Sequence, residues 1–524
     1  MGDNFCGDLQ VKLNRYHYET PDPVKVSTLI ADSNPGRVPS VQSVGSKVGP
    51  QRLARAGTLQ DLGDHMRKAD PAILASLAVG EIIKLRGGPP TQQEMRAFII
   101  DSLKHRAEIE LLRLVYGHNF RLIAIHCSRD NRFSRLENGK FHLAPHDDIG
   151  KFIDRDEQDR SKTWGQEVNQ VFHQADFFVD NDHPQDNVKY GPDLDRFVDL
   201  CVGGKLLRPT IEETGMYHAH AASMRSACLS RQVGAAILSR DGRVLAIGAN
   251  EVPKSGGGVY CDGDKIDKRC FKWTEWCLNP KDEKWGKIYG KSPVGPAHCH
   301  NTRRKHELRS DIVSWFVDDV APQLADNLLE TTGNAKELFA QFKRQEIVDT
   351  IKRFFGDSER FKGMPGVKDL IEYSRSIHAE MEALMSALRS GTPTIGAVLY
   401  TTTYPCHNCA RHIVAAGISR VYYMEPFVKS LAIELHHDAL IHDNSPECDG
   451  NFGDNRVAIL PFTGVGPRLY AELFTKVKEW KGPTGEFVPP PSSGLPCAIQ
   501  LDSLEAIERR AAERARILQP QERQ

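Results

Sequence analysis

The sequence predicts an α/β protein built from more than one domain. Three observations carry this expectation. The chain has 524 residues, too many for one ordinary domain. Between residues 71 and 181, apolar strand-like runs alternate with helical ones, the pattern of a parallel sheet covered by helices. From residue 231 onward a hairpin is followed by a second strand–helix alternation.

The elements follow in order. Residues 30–65 are rich in Gly, Ser, Pro and Gln and have weak periodicity, so they are expected to form a loop. "PAILASLAVGEIIKL" (71–85) predicts a helix. "RAFIIDSL" (96–103) predicts a buried strand carrying Asp101 at its end. "RAEIELLRLVYG" predicts a helix closed by Gly117, since glycine favours the position just past a helix end. "FRLIAIHCS" (120–128) and "ADFFVDN" (175–181) predict two more strands.

A second unit starts near residue 209. "RQVGAAILSRDGRVLAIGANE" (231–251) predicts a hairpin turning at Asp241–Gly242. A long insert spans 252–370. Further on, "ISRVYYMEPF" (418–427) and "RVAILPF" (456–462) predict strands, with "KSLAIELHHDALI" (429–441) a helix between them. A proline-rich linker, 483–498, precedes a charged helix, 501–518. Its Leu501, Leu504 and Ile507 lie at helical spacing and suit docking, although a solvated tail fits as well.

Lys plus Arg (68) balances Asp plus Glu (69), so no global basic field invites nucleic acid. No apolar run approaches the ~20 residues that span a bilayer. The start "MGDNFCGDLQVKL" has no apolar leader segment, and twelve cysteines in a large mixed chain suit reduced thiols. The expectation is a cytoplasmic protein without membrane contact.

The chemistry concentrates in "SIHAEMEALMSAL" (376–388) and "TTTYPCHNCARHIVAAG" (401–417). His378 and Glu380 are two apart, so on a helix surface they would point in different directions. At a helix start they can face one pocket. Cys406 and Cys409 follow Pro405, a residue suited to a helix's first turn, after a strand-like "AVLYTTTY". Helix N-termini stabilise thiolates. His378, Cys406 and Cys409 thus offer three zinc-type donors, one short of a closed structural site. Glu380 is left to move protons. Alone, a CxxC reads equally as a structural zinc knuckle or a redox pair. The complete H-x-E and P-C-x-x-C set is the signature of zinc-dependent nucleobase deaminases.

Together with "MRSACLSRQVGAAILSRDGRVLAIGANEVP" (224–253) and "MEPFVKSLAIELHHDAL" (424–440), these motifs resemble the deoxycytidylate deaminase branch of the cytidine deaminase superfamily. They resemble still more the bacterial anti-phage dCTP deaminases, which join a P-loop-kinase-like domain to a deaminase domain. The resemblance implies a kinase-like parallel-sheet domain over 1–200 and an α/β/α deaminase domain over 209–482. The remainder, 483–524, is linker and helix. It implies conversion of dCTP and dCMP to the uracil forms, one catalytic Zn²⁺, a homo-oligomer, and a regulatory nucleotide or RNA as a further partner.

In the N-terminal half "FIIDSLKHRAEIELLR", "LIAIHCSRDNRFSRL" and "DRDEQDRSKTWGQEV" resemble small-molecule kinases. The G-x-x-x-x-G-K-[ST] loop is absent, and "NFCGDLQVKL" has one glycine and no GK[ST]. Phosphoryl transfer is therefore not expected there.

Substrate contacts are expected from Asn250, which in related deaminases bonds sugar or base, or else simply forms a turn. Arg225, Arg231, Lys254 and Lys429 flank the matched motifs and could meet phosphates, or be surface charges. Ser255–Gly258 could form an anion-binding turn or a lid. In the insert, Cys261, Cys270, Cys277 and Cys299, with His298, His300 and His306, suggest a second, structural zinc, against the alternative of ordinary buried thiols. "HNTRRKHELR" (300–309) reads as a phosphate or RNA contact, or as an exposed helix face. The rival functions are a housekeeping deoxycytidylate deaminase, a polynucleotide cytidine deaminase, which would need a basic, aromatic-lined groove, and a non-catalytic sensor.

Overall fold

A computed structural model describes residues 2–41, 48–91, 95–157, 164–182, 190–202, 205–272, 299–330, 345–346, 348–350, 373–426, 430–442, 456–476, 480–488 and 501–518. The fold is mixed α/β with parallel strands in every sheet. Among the described residues no helix is long and apolar enough to cross a membrane.

The N-terminal half opens with helix α1 (Gly2–Asn14) and strand β1 (Val24–Lys25). Helices α2 (Val48–Ala69) and α3 (Ile73–Arg86) follow. Strand β2 (Ile100–Asp101) pairs in parallel with β1. It is much shorter than the strand expected over 96–103, because only a bridge at Arg96 and two paired residues meet a neighbour. Helix α4 (Arg106–Tyr116) ends at Gly117 as expected. Strands β3 (Ile123–His126) and β4 (Phe177–Asp180) pair in parallel and are followed by helix α5 (Tyr190–Val202).

Helix α2 overturns the expected loop over 30–65. Its fully buried side chains are polar, while its apolar ones, Leu53, Ala56, Leu59, Leu62 and Met66, are only partly buried against two separate cores. Gln60, Asp64 and Arg67 are all buried. Arg67 Nε donates to buried Glu108 at 2.8 Å, Arg155 Nη2 donates to Asp64 at 2.7 Å, and Gln60 Nε2 donates to Asp156 at 2.7 Å. Such pairs put polar residues at the most buried positions, where they read as solvent-facing and weaken the sequence signal.

In the C-terminal half, helix α6 (Ile211–Ser223) packs on a sheet that begins with the hairpin β5 (Gly234–Leu238) and β6 (Val244–Ala249). Gly242 in the turn has φ of +87°, which glycine adopts at little cost. Helix α7 (Ala379–Arg389), strand β7 (Val398–Thr403), helix α8 (His407–Ala415) and strand β8 (Arg420–Glu425) come next. The helix expected over 429–441 is only one turn, Ala432–Leu435, and its far end is strand β9 (Leu440–His442). Pairing with β10 (Val457–Pro461) pulls Leu440–His442 into the sheet. The strand order is β6-β5-β7-β8-β10-β9, with β7, β8, β10 and β9 parallel to one another and β5 antiparallel to both β6 and β7.

The two halves are laced together. After β10, strand β11 (Gly464–Val465) leaves the C-terminal sheet and pairs antiparallel with β4. Helix α9 (Pro467–Phe474) then packs Leu469 and Phe474 into the core around Phe177, Val179 and Phe197.

Helix α10 (Leu501–Leu518) is docked, which decides against a solvated tail. Leu504, Ala511 and Ala515 are buried, while Ile507 stays largely exposed. Arg86 grips Glu508 through two bonds of 2.9 and 2.5 Å, with side-chain exposures of 8% and 0%. Removing one partner of so buried a pair strands the other charge. Glu508→Ala should cost about 3–5 kcal/mol, whereas the apolar pair Arg86→Met with Glu508→Leu should cost far less. Chemical-denaturation midpoints of the two variants check this order.

Candidate active site

Three donor atoms meet where two helices begin. His378 is the N-cap of α7, with φ −75° and ψ 153°, and its side chain makes no capping bond. Cys406 is the N-cap of α8, with φ −75° and ψ 164°, and it likewise caps nothing. Pro405 thus sits just before the cap rather than inside the first turn. A serine or aspartate cap would contribute about 1 kcal/mol at such a position. Here both side chains turn into a common point instead. Because His378 lies outside the helix proper, it and Glu380, at the second helical position, can face the same site despite their spacing.

The Cys406 and Cys409 sulfurs each lie 3.3 Å from His378 Nδ1, and the three donor atoms fall within 4.8 Å of one another. Tetrahedral zinc with bonds of about 2.0–2.3 Å would need nitrogen–sulfur separations of roughly 3.6 Å. The donor set therefore fits zinc with a small expansion. Cys406 and Cys409 are buried, and their protonation is shared. The Cys409 contact and His378 hold the Cys406 thiol well down, while the Cys406 contact and burial push Cys409 up. The pair thus favours one thiolate even without a metal charge, and a bound cation would favour the second.

Glu380 is 4% exposed, and its Oε2 accepts from Cys409 Sγ at 3.4 Å. Burial, and then the Cys406 charge, raise its pKa above the usual carboxylate range. A buried carboxyl beside a metal-type donor set has the properties of a proton carrier.

The surroundings fix this geometry. Gly248 on β6 has no room for a side chain: a Cβ there would overlap Ala379 O and Ala383 N at the start of α7. Glu251 is a positioning residue that the sequence reading missed. It is buried; its carboxylate accepts from Ala227 N–H and Val252 N–H at 2.7 and 2.8 Å, and its carbonyl accepts from Ile377 N–H at 3.0 Å, next to His378. Its place beside Asn250 was the one available signal. On the other helix, Ser430 Oγ donates to Pro405 O at 2.7 Å, and Tyr404 OH contacts His442 Nε2 at 3.2 Å.

The expected substrate contacts are not gathered in the same way. Asn250 spends its amide on the backbone, accepting from Val233 N–H at 2.7 Å and donating to Arg231 O at 2.8 Å. Arg231 pairs with Glu425, whose carbonyl accepts from Tyr404 N–H at 2.7 Å, so it lies near the Cys406 loop. Lys254 pairs with Asp264 at 2.7 Å. Residues 255–258 form a closed turn with two bonds between Lys254 and the glycines, not an open lid. Arg225 is exposed, and Lys429 lies outside the described residues.

In the insert, Cys261, Cys270 and Cys299 do not come together as a three-donor set among the described residues. Cys299 contacts Ser230 Oγ at 3.2 Å. Cys277 and His298 lie outside the described residues. The basic stretch from His300 forms a helix to Trp315, in which Arg303 and Arg304 pair with Glu307. A second cluster, His126, Asp180 and Asp182, lies at the ends of β3 and β4. Asp182 is already occupied by Ser128 and Asn131.

The profile of the cytidine and deoxycytidylate deaminase zinc-binding region matches residues 349–425, which hold all four residues of the cluster. The deoxycytidylate deaminase of Enterobacteria phage T4 is 34% identical over 166 residues, covering 30% of this chain and 72% of the phage protein. ComE operon protein 2 of Bacillus subtilis (strain 168) is 48% identical over 77 residues, 14% of this chain; the chain spans only 41% of that relative's length. The solved dCMP deaminase of cyanophage S-TIM5, in complex with dCMP and dUMP, aligns with 49% of this chain and 99% of its own at 16% identity and a TM-score of 0.23. The chain belongs to the deoxycytidylate deaminase family, and its metal is the zinc of that family's His/Cys/Cys region.

Gly248→Ala should push α7 off β6 and weaken the donor set, at a cost of about 1–3 kcal/mol. Metal analysis after dialysis against a chelator should find less retained zinc than in the wild type.

Proposed function

We propose that the protein hydrolyses a deoxycytidine nucleotide, dCTP and dCMP, to its uracil form and ammonia. The supporting observation is the buried Glu380 carboxyl held beside three converging zinc-type donors. In this reading His378, Cys406 and Cys409 hold the metal. Zinc bound there supplies a water acidified enough to act as a nucleophile at neutral pH. Glu380 accepts a proton from the attacking water. It then returns protons to cytosine N3 and to the departing amine, so a C4–O bond forms, the C4–N bond breaks and ammonia leaves. A pKa raised by burial suits a group that must hold a proton between these transfers.

The preference for dCTP, and a role in depleting it during phage infection, rest on the resemblance of residues 212–253 and 376–440. Arg231 and Lys254 already face carboxylates, so a triphosphate would have to displace Glu425 or Asp264, or use Arg225 and Lys429. A second reading, a housekeeping dCMP deaminase, is favoured by the phage relatives, which carry that name. The proposal divides the chain into 1–200, 209–482 and 483–524, with residues 464–474 tying the second unit to the first. It gives the N-terminal unit a regulatory task without phosphoryl transfer, under a nucleotide or RNA, in a homo-oligomer.

One assay tests the core. Purified protein is offered CTP, dCTP, dCMP, deoxycytidine and single-stranded DNA, and ammonia release is followed. Turnover of dCTP, with or without dCMP, supports the first reading; turnover of dCMP without dCTP supports the second; turnover of DNA alone defeats both. Formation of nucleoside diphosphate from ATP would remove the claim about the N-terminal unit. Glu380→Gln should keep zinc and lose about 10²–10⁴-fold in rate. Cys406→Ala should lose both zinc and activity; a full zinc complement with normal turnover would take Cys406 out of the site.

A further inference from the structure

The insert returns to the zinc site through residues 259–272. After β6 the chain runs out past Pro253, turns at the glycines and comes back, with Pro253 paired to Val259 and Tyr260 N–H donating to Val252 O at 2.9 Å. Lys254 fastens the returning segment through Asp264 at 2.7 Å. This strap then carries Arg269 inward until only 4% of it is exposed.

Arg269 serves two buried carboxylates. Its Nε and Nη2 fork onto Asp267 at 2.9 and 2.6 Å, and its Nη1 faces Glu251 Oε2 at 4.0 Å. The guanidinium lies 4.9 Å from the centre of the Phe271 ring, and Nη2 also reaches the exposed Asp262. Glu251 is 1% exposed, and each of its oxygens accepts a backbone N–H, from Ala227 and from Val252. Such bonds are strongest to an ionised carboxylate. A charge so deep needs a partner of opposite sign. Coulomb attraction has no strict direction, so Arg269 can supply that charge at 4.0 Å while Glu251 keeps both amide bonds.

The strap also holds the chain that leads into α7. The Lys268 carbonyl, next to Arg269, accepts from Arg375 Nη1 at 2.9 Å. Arg375 comes three residues before His378, and Ile377 between them donates its N–H to Glu251 O at 3.0 Å. Residues 268 and 269 thus meet both anchors of one short run, 375–378.

We propose that Arg269 is a positioning residue for the zinc ligand His378, and that the strap of the insert is a clamp on the metal site. Arg269 keeps Glu251 charged and in place, Glu251 holds Ile377, and the imidazole of the next residue is set at the donor point before metal arrives. Residues one step behind metal ligands typically carry about 10–100-fold in affinity. The inference rests on the zinc site and not on which nucleotide is the substrate.

The test is the zinc affinity of the full chain, measured by competition with a chromogenic chelator. The visible spectrum of the cobalt(II)-loaded protein is the second readout. Arg269→Met and Glu251→Gln should each weaken zinc about tenfold. The double variant should be no weaker than the worse of the two, because both act along one path. With cobalt, the sulfur-to-metal charge-transfer band from Cys406 and Cys409 should persist while the d–d bands lose intensity as His378 loosens. Asp262→Asn, at a side chain 90% exposed, should change neither readout. Wild-type zinc affinity and cobalt bands in Arg269→Met overturn the proposal, even with a lower unfolding midpoint, and leave Arg269 as an anchor of the strap alone. Losses that multiply in the double variant overturn it too. Should Arg269→Met not fold, Arg269→Gln, which keeps a donor for Asp267 but no charge, is read in the same way.

Discussion

The site depends on one constraint: two helices must begin close enough for their first side chains to bring three donor atoms within 4.8 Å of one another. Each gives up a capping interaction at its first residue so that an imidazole and a thiolate can turn inward. The approach is possible because β6 offers α7 a residue without a side chain, Gly248, against which Ala379 and Ala383 settle. The parallel pair β7 and β8 does the same service for α8, since the chain leaves β7 at Thr403 and reaches the N-cap three residues later. Strand ends in such sheets leave unpaired backbone and short loops, so chemistry collects there. The acidic residue then falls into place, because the second helical position beyond an N-cap histidine faces the same space.

Much of this was legible in the sequence. The convergence of His378, Cys406 and Cys409, the place of Glu380 beside them, the hairpin and most strands follow from spacing, residue type and turn chemistry. What was not legible shares a physical cause. Helix α2 buries Gln60, Asp64 and Arg67 among its partly buried Leu59, Leu62 and Met66, so the polar residues mask the apolar spacing. Leu440–His442 read as the end of a helix because a short apolar run fits either period, and only the neighbouring β10 decides. Asn250 stands where a substrate contact was expected, yet long-range geometry commits its amide to residues 231 and 233. Cation pairs such as Arg231 with Glu425 join residues far apart in sequence and leave no local trace.

The halves also meet through side-chain contacts near the site. Tyr404, two residues before Cys406, packs edge-on against Tyr423, with ring centres 4.8 Å apart. Tyr423 OH contacts His126 Nε2 on β3 at 3.1 Å, and His126 faces Asp180 on β4. The loop carrying a zinc-type donor is thus braced by side chains from the other half. A contiguous chain of packed side chains therefore joins β3 to that loop.

The pairing of Gly464 with Phe178 has a temporal side. A nascent chain leaves the ribosome from its N-terminus, so β3 and β4 emerge long before their third strand. The aromatic core around Phe177 and Phe197 waits for Val465, Leu469 and Phe474, which are made only after the C-terminal sheet is complete. Residues 181–463 must be translated before β11 can pair with β4, and loops of that length form slowly. Until then β4 presents a bare edge and a greasy surface, the kind of intermediate on which chaperones act. A strand made late is the latch for one made early.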